Sequence, residues 1–334
     1  MNLTKLTGHF DLDCVKYAAA SAGEKRSVCV THKTTGRALI VPTRTEWYGH
    51  WKTKSGGQLA EINKTRDSPF AWDEFEYEDI QEPEPIENIL HTAKLMVEKG
   101  VVASKAESVE YYLGVGDSFR VELSTLLKYK GQRLNMLRPV LLDEVTEYLS
   151  KKFKAQMISD YEVDDQVVMN SYRNKGQFII GIDKDFLGSG SAFFNLNTPE
   201  KGIQKTDCFG SLHIDSKGYV KGVGRMFKLF QVCSSDTSDN YAANCMSDLK
   251  WGDKSAYKAL KDCKDDKELF QAAVEIFKKL YPEPKIVTGW RGNEIEITWL
   301  YVMQECFHMA HMHRWPSDFV ELKEVLTKLE VSYE

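Results

Sequence analysis

Phe178-Ile179-Ile180-Gly181-Ile182-Asp183 is a short apolar run that ends at a carboxylate. An apolar run of this length is typical of a parallel strand that is covered on both faces. It therefore predicts a buried strand over 178–182, in a sheet with helices on both sides. In open sheets of this kind, the side chains just beyond the carboxyl ends of the strands form the functional site. Asp183 is thus the first candidate site residue.

The segments around this strand alternate between strand and helix patterns, which predicts an α/β protein with a central, mostly parallel sheet flanked by helices. The segment Gly8 to Asp13 opens with a predicted strand and leads into a helix over 14–22 that Gly23 would cap in the left-handed conformation, so Asp11 and Asp13 lie at a strand-to-helix junction. The other predicted elements are a strand over 109–113, helices over 86–99, 140–156 (beginning after Pro139) and 164–173, and hairpins over 27–41 and 211–221.

Composition excludes several classes of protein. The 334 residues are 42% hydrophobic and 28% charged, which is enough apolar material for a full core and argues against disorder. No apolar run reaches the roughly 20 residues that span a bilayer, so we expect no membrane partner and a cytoplasmic location. The seven cysteines are scattered without a Cys-x-x-Cys pair, which predicts reduced thiols. The net charge of −5 means that any contact with nucleic acid depends on a local basic patch.

Acidic residues recur in small groups along the chain. Glu162-Val163-Asp164-Asp165 and Asp183-Lys184-Asp185 are the densest, and Asp11, Asp117 and Asp183 all follow predicted strands. Carboxylates that share a site raise one another's pKa unless a cation lies between them, and a hard divalent cation bound through oxygen is the usual compensation. Two Mg²⁺ ions would support hydrolysis of a phosphodiester.

In their order along the chain, these groups and several basic motifs resemble the structure-specific 5′ nuclease superfamily, and within it the bacteriophage 5′-to-3′ exonucleases. The resemblance covers residues 8 to about 262. Its motifs are Phe10-Asp11-Leu12-Asp13, Phe119-Arg120-x-Glu122, Tyr129-Lys130-Gly131-x-Arg133, Glu162-x-Asp164-Asp165, Asp183-Lys184-Asp185, Asp236-x-x-Asp239-Asn240 and Trp251-Gly252-Asp253-Lys254-Ser255-Ala256.

The resemblance implies a role for each matching residue. One Mg²⁺ would be held by Asp11, Glu162 and Asp164, with Asp13 and Asp165 ligating directly or through water. A second would be held by Asp183, Asp185 and Asp236, supported by Asp239, and Asp117 is a further candidate ligand. Mn²⁺ is expected to substitute. Lys130, Arg133 and Arg120 would contact the scissile phosphate or the 5′ strand, and Tyr129 would stack on a terminal base. Gly252 and Lys254 would bind duplex backbone.

The resemblance also implies a PIN-like 5′-nuclease architecture. The nuclease domain would span 1–200, with an insertion at about 28–85 and a helical arch at about 117–140. A hairpin and a helix-three-turn-helix, with an associated K⁺ ion, would occupy 201–284, and a helical extension 285–334. The expected activity is magnesium-dependent 5′-to-3′ exonuclease, with flap-endonuclease or RNA-primer removal ability. The expected partners are DNA with a free 5′ end, a nick or a flap, RNA–DNA hybrids and phage replication proteins, in the cytoplasm of a bacterial host.

Other interpretations remain open from the sequence. One is a PIN-type ribonuclease, which would need neither the Gly252-x-Lys254 turn nor the basic segment from Arg120 to Arg133. A noncatalytic nucleic-acid-binding relative is a further alternative, against which the intact carboxylates argue: Asp11, Asp164, Asp183 and Asp185. Another is a sugar phosphatase that uses Asp11-Leu12-Asp13 as its nucleophile motif. Paired acids at a helix start, such as Asp164-Asp165, are also favourable without any metal, because they interact with the helix dipole. His308, His311 and His313 lie among apolar residues, so we predict that they pack in a core helix.

Overall fold

The computed structural model describes residues 5–333. Its strands largely follow the apolar runs of the sequence, and the clearest of these, predicted over 178–182, is observed at Gln177–Gly181. The strands are β1 (Thr7–Asp11), β2 (Glu24–His32), β3 (Ala38–Val41), β4 (Phe75–Pro83), β5 (Ser108–Gly114), β6 (Gln156–Ile158), β7 (Gln177–Gly181), β8 (Phe193–Asn195), β9 (Ile203–Gln204), β10 (Ser211–Ile214), β11 (Val220–Val223), β12 (Ser235–Asp236), β13 (Tyr241–Ala242), β14 (Lys285–Thr288) and β15 (Glu294–Ile297).

The helices differ widely in length, and the longest lies between β4 and β5. The α-helices are α1 (Asp13–Ala22), α2 (Arg44–Tyr48), α3 (Gly57–Asn63), α4 (Ile86–Ser104), α5 (Arg120–Leu123), α6 (Leu142–Phe153), α7 (Val163–Ser171), α8 (Gly224–Cys233), α9 (Asp253–Leu260), α10 (Asp266–Leu280), α11 (Trp299–Ala310) and α12 (Leu322–Lys328). Short 3₁₀ helices cover Trp72–Glu74, Gly131–Asn135, Lys184–Gly188 and Pro199–Lys201. Among residues 5–333, no helix is both long and apolar enough to span a membrane.

The central sheet has the strand order β6-β5-β1-β7-β8-β9. The first five strands are parallel and β9 is antiparallel to β8, so the predicted α/β class with a mostly parallel sheet and flanking helices is confirmed. The chain runs from β1 out to β5 and β6, then crosses to β7 on the other side of β1. The strand order therefore reverses between β1 and β7, which is where such sheets bind their ligands.

The chain forms two compact units. The first contains Met1–Val15 (described from Lys5), Met96–Leu137 and Leu149–Glu334, and it holds the whole central sheet. Its carboxyl-terminal part has a core in which side chains of α8, α10 and α11 pack together, among them Phe230, Phe277 and Phe307. Residues 285–334 contribute to this core, through a β14–β15 hairpin followed by α11 and α12.

The second unit contains Lys16–Leu95 and Arg138–Tyr148. The predicted hairpin over 27–41 is confirmed as β2 paired with β3, with Val28 opposite Val41. The rest of the 28–85 insertion also contains regular structure, because β4 adds a third strand along all of β2. Val30, Trp47 and Phe75 form part of a separate apolar core here.

Two predicted helix ends are wrong. Gly23 does not take the left-handed conformation; it lies against Ile89, where an added Cβ would come within 2.4 Å of that side chain. The helix predicted over 140–156 is observed as α6, Leu142–Phe153, so Pro139 is not its first residue. It ends early because Lys154 adopts a positive φ of 53°, after which the chain forms β6.

The segment predicted as a helical arch, about 117–140, has little helix in the structure. It contains the four-residue α5 and the 3₁₀ turn Gly131–Asn135. Lys130, just before that turn, has a positive φ of 53°, and its backbone N–H donates to the carbonyl of Asp239. A right-handed helix cannot continue through a residue in the left-handed conformation, so the segment cannot form one helix.

Candidate active site

Asp11 and Asp183 lie at the carboxyl ends of the neighbouring strands β1 and β7 and are held by the same local device. In each case one carboxylate oxygen accepts the backbone N–H of the residue two positions on: Asp11 from Asp13 at 2.8 Å, and Asp183 from Asp185 at 2.9 Å. Turns of this kind suit aspartate because its short side chain reaches its own backbone. They fix both carboxylates at the edge where the strand order reverses.

Asp13 is positioned by the end of β5. Its Oδ1 accepts the N–H of Gly114 at 2.9 Å. A Cβ on Gly114 would come within 2.8 Å of this carboxylate, so the absence of a side chain at 114 allows the close approach. This hydrogen bond therefore holds the Asp13 carboxylate at the sheet edge beside Asp11.

Asp164, in the first turn of α7, lies among other carboxylates. Burial raises its pKa well above the usual range, and the charges of Asp11, Asp183 and Glu162 raise it further. Asp164 arrives from the β6–α7 connection, Asp11 from β1 and Asp183 from β7. Three acidic residues that are far apart in sequence thus lie close enough to interact electrostatically.

A second acidic group surrounds the 3₁₀ turn that follows β7. Burial raises the pKa of Asp185 well above its usual range, with a further contribution from Asp183. Asp185 accepts a hydrogen bond of 2.6 Å from the amide of Gln231 on α8. Lys184 Nζ lies 4.0 Å from Asp185 and 3.5 Å from Asp236. This lysine compensates part of the negative charge, although its side chain is 60% exposed.

The basic motif at 129–133 packs on the loop that carries Asp236 and Asp239. Asp236 Oδ1 accepts the backbone N–H of Ser238 at 2.7 Å, which shapes this loop. Arg133 donates to the Ser238 carbonyl at 3.2 Å and to Asp239 at 3.3 Å. Burial raises the pKa of Asp239 to about 6. The motif therefore lies beside the second acidic group.

Glu162 is surrounded by donors. It accepts from Arg120 at 2.6 Å, from the Tyr129 hydroxyl at 2.8 Å and from Lys130 Nζ. Burial alone would raise its pKa, but Arg120 and Lys130 hold it below the usual range. Lys130 Nζ also lies 4.0 Å from Asp239, so it stands between the two acidic groups.

Arg120 and Asp165 form a buried pair rather than parts of an open site. Two guanidinium nitrogens of Arg120 donate to the two oxygens of Asp165, at 2.7 and 2.8 Å. Asp165 is 0% exposed and Arg120 is 2% exposed. Asp165 also accepts the N–H of His313, and Arg120 donates to the His311 carbonyl. The pair fastens α7 to the segment after α11.

Two predicted substrate contacts therefore need correction. Arg120 cannot reach a phosphate, because its bonded nitrogens already face Asp165, Glu162 and a backbone carbonyl. Tyr129 is 3% exposed and its hydroxyl is bonded to Glu162, so its ring is not available for base stacking. Asp165, predicted as a metal ligand, has both oxygens occupied by Arg120. Sequence alone does not reveal these burials.

Asp117, Gly252 and Lys254 are not joined to these carboxylates by any hydrogen bond or ion pair within residues 5–333. Asp117 is exposed beyond β5. Gly252 precedes α9 in an extended conformation with a φ of 178°, which any residue can adopt. Lys254 is exposed in the first turn of α9. Their predicted roles in metal or DNA binding stay predictions.

Sequence reasoning assigned no role to Gln231, which orients Asp185. A polar residue in the otherwise apolar stretch Leu229–Cys233 is the signal that could have identified it. His311 and His313 are buried as predicted, at 2% and 3% exposed, but they lie beyond the end of α11 at Ala310 rather than in a helix. His311 Nε2 bonds to Asp318 at 2.9 Å.

In the part of the chain that the structure describes, no three His, Cys, Asp or Glu side chains are gathered closely enough to hold a metal ion as they stand. The carboxylates instead face lysines and one another. Comparison of the chain with family models, curated proteins and solved structures finds no match.

Proposed function

We propose that this protein is a metal-dependent 5′-to-3′ exonuclease that hydrolyses DNA phosphodiesters by a two-magnesium mechanism. The observation that carries the proposal is the surroundings of Asp164. Its pKa is raised by burial and then by Asp11 and Asp183, which means that negative charge is concentrated at one sheet edge without full compensation. Such a cluster costs stability in a protein that has no use for it, and it is a candidate functional site.

The donor set fits Mg²⁺, because every candidate ligand is a carboxylate oxygen. Asp11 and Asp164, with Asp13 beside them, would hold one ion. Asp183, Asp185 and Asp236 would hold the other. When bound, the two ions would lower the pKa of the attacking water and stabilise the departing 3′ oxygen. Since no group of three is gathered tightly among residues 5–333, we infer that these side chains adjust when an ion binds.

Lys130 and Lys184 offset part of the negative charge of the site. Lys130 bridges Glu162 and Asp239, and Lys184 faces Asp185 and Asp236. A divalent ion competes for the same carboxylates, so its arrival would release these ammonium groups. Lys130 would then be free to pair with the scissile phosphate, and Arg133, half exposed beside it, would bind the adjoining backbone.

The direction of cleavage and the form of the nucleic-acid substrate are finer parts of the proposal. Cleavage from a 5′ end, and a flap or RNA-primer activity, rest on the resemblance of the basic motif at 129–133, which lies beside the acidic groups. Lys254, exposed at the start of α9, would contact duplex backbone. The helix-three-turn-helix and its K⁺ ion remain part of this proposal.

The test is digestion of 5′-labelled duplex, nicked, flapped and RNA-primed substrates with Mg²⁺ and with chelator. We expect cleavage only with Mg²⁺, starting at the 5′ end and leaving 5′-phosphates. Product lengths separate exonuclease from flap cleavage. Release of nucleotides from the 3′ end, or equal cleavage with chelator, would overturn the proposal.

A noncatalytic nucleic-acid-binding protein is the second candidate. It is favoured by the absence of a gathered metal group in residues 5–333 and by the full set of donors around Glu162. This candidate predicts DNA binding without cleavage of any of the four substrates.

A further inference from the structure

A cavity of about 400 Å³ lies in the first unit, apart from the carboxylates of the candidate active site. This volume falls in the range of small-molecule sites. Aromatic, apolar and basic side chains line it together, among them Tyr172, Phe270, Phe307, Lys228 and Arg314. The backbone of Gly188–Gly190 forms another part of the wall.

Lys228 is the unusual group in this cavity. Its Nζ contacts Nδ1 of His311 and lies 4.8 Å from the centre of the Phe307 ring, and it forms no ion pair within residues 5–333. Burial lowers its pKa to about 7, and the positive charge of Arg314 contributes. An unpaired cation in such a place costs stability unless a ligand uses it.

The other cations of the cavity already have carboxylate partners. Arg225 donates to both oxygens of Asp266, at 2.8 and 3.1 Å, and Arg314 donates to Asp318 at 2.6 and 2.9 Å. Arg173 lies 3.7 Å from Asp207. Lys228 is therefore the position at which an added anion would complete an ion pair.

We propose that this cavity binds a nucleoside monophosphate, with the phosphate at Lys228 and the base against the aromatic wall. A bound anion would supply the charge partner that Lys228 lacks, while Tyr172, Phe270 and Phe307 supply faces on which a base can stack. The choice of a nucleotide among phosphate compounds rests on the proposed function, since such an enzyme releases nucleotides.

The cavity is physically connected to the acidic groups. Gly188 ends the 3₁₀ turn that starts after Asp183, and a Cβ at 188 would meet Lys228 Cβ at 3.1 Å and Gln231 Oε1 at 3.3 Å. Lys228 and Gln231 are three residues apart on α8 and so share one face. Gln231 in turn donates to Asp185. A ligand on Lys228 would thus lie one turn of α8 from the side chain that orients Asp185.

The test is calorimetric titration of the full chain with dAMP, inorganic phosphate and deoxyadenosine, all in chelator. We expect dAMP to bind more tightly than phosphate and deoxyadenosine not to bind. Lys228→Met should weaken dAMP binding roughly tenfold or more, because a charge-assisted contact is lost. Lys228→Arg should retain binding, and Lys221→Met, at an exposed lysine, should match the wild type.

Several outcomes would overturn the assignment. Equal dAMP affinity in Lys228→Met and the wild type would remove Lys228 from the site, provided that melting shows both to be folded. Equal affinity for phosphate and dAMP would exclude a role for the aromatic wall. No binding of either would exclude the site. Because these titrations need neither metal nor DNA, they can fail while the nuclease assay succeeds, and the reverse.

The pH dependence adds a second readout. The charged and titratable groups near Lys228 are His311, Arg314 and Asp318, with Arg173, Asp207, Arg225 and Asp266 on the cavity wall. Burial lowers the pKa of His311 to about 3, and Asp318 is held ionised by His311 and Arg314 despite its burial. Lys228 loses its proton as the pH rises through about 7. The affinity for dAMP should therefore fall between pH 6 and pH 8 in the wild type, and Lys228→Arg should abolish that fall.

Discussion

Asp164 and Asp165 are neighbours in the first turn of α7, yet they lie in opposite electrostatic surroundings. Asp164 faces other carboxylates, which add to the effect of burial on its pKa. Asp165 accepts hydrogen bonds from Arg120 at both carboxylate oxygens and is excluded from solvent. We call the first region the carboxylate edge (Asp11, Asp164, Asp183, Asp185) and the second the arginine anchor (Arg120, Asp165).

The difference teaches how a site with excess negative charge can be built on a stable scaffold. At the arginine anchor, opposite charges are matched by two hydrogen bonds and support the fold. At the carboxylate edge, like charges lie close together, and the charges of Lys130 and Lys184 reduce the repulsion. Mutations in the two regions should therefore separate activity from stability.

The largest expected effect is on activity at the carboxylate edge. Asp183→Asn should abolish magnesium-dependent cleavage, because it removes a proposed ligand charge. The variant should fold as well as the wild type or be more stable, since burial and Asp236 both disfavour the ionised carboxylate. Cleavage of labelled duplex and thermal melting in chelator measure the two effects.

The matched control is Asp248→Asn, at an exposed aspartate. It should keep both activity and stability. Undiminished turnover by Asp183→Asn would remove Asp183 from the metal site. A loss of activity that accompanies a large fall in melting temperature would assign it to folding instead.

The arginine anchor should show the reverse behaviour. Arg120→Met leaves Asp165 and Glu162 without their main partner, so we expect a loss of about 3–5 kcal/mol in unfolding free energy. The double variant Arg120→Met/Asp165→Leu should recover much of that loss, because no buried charge is left unpaired at 165. Denaturant titration measures both.

Arg37→Met, at an exposed arginine, serves as the control and should stay within about 0.5 kcal/mol of the wild type. If Arg120→Met unfolds at the same denaturant concentration as this control, the anchor has no structural role. Its guanidinium would then be open to the substrate role that the sequence predicts.

Sequence patterns predicted the sheet and the carboxylate edge because both depend on short stretches. An apolar run that ends in aspartate fixes where Asp183 lies, and the same holds for β1 and Asp11. The parallel pairing of β1 with β7 then brings the two together. The apolar run and the aspartate that follows it lie within a few residues of each other, so the sequence alone locates both the strand and its carboxylate.

The anchor could not be predicted, because its partners are distant in sequence. Arg120 and Asp165 are 45 residues apart, and Arg120 reaches His311 across 191. In a motif, Asp164 and Asp165 look alike, and only tertiary packing separates the carboxylate that faces other acids from the one that pairs with Arg120. The arch prediction failed for a similar reason: backbone bonds to a loop more than 100 residues away replace the helix.

Lys130 belongs to both regions, and its replacement should have the smallest effect of the three. It shares Glu162 with Arg120, and it also reaches Asp239. Since Arg120 and Tyr129 still hold Glu162, Lys130→Ala should cost far less stability than Arg120→Met.

The proposed contact of Lys130 with the scissile phosphate strengthens as negative charge develops in the transition state. Cleavage by Lys130→Ala should therefore slow roughly a hundredfold while its affinity for duplex DNA changes little. Single-turnover rates and DNA titrations with Lys130→Ala, beside the exposed control Lys250→Ala, measure the difference. Equal losses of rate and affinity would make Lys130 a simple backbone contact, and a stability loss as large as that of Arg120→Met would place it in the anchor.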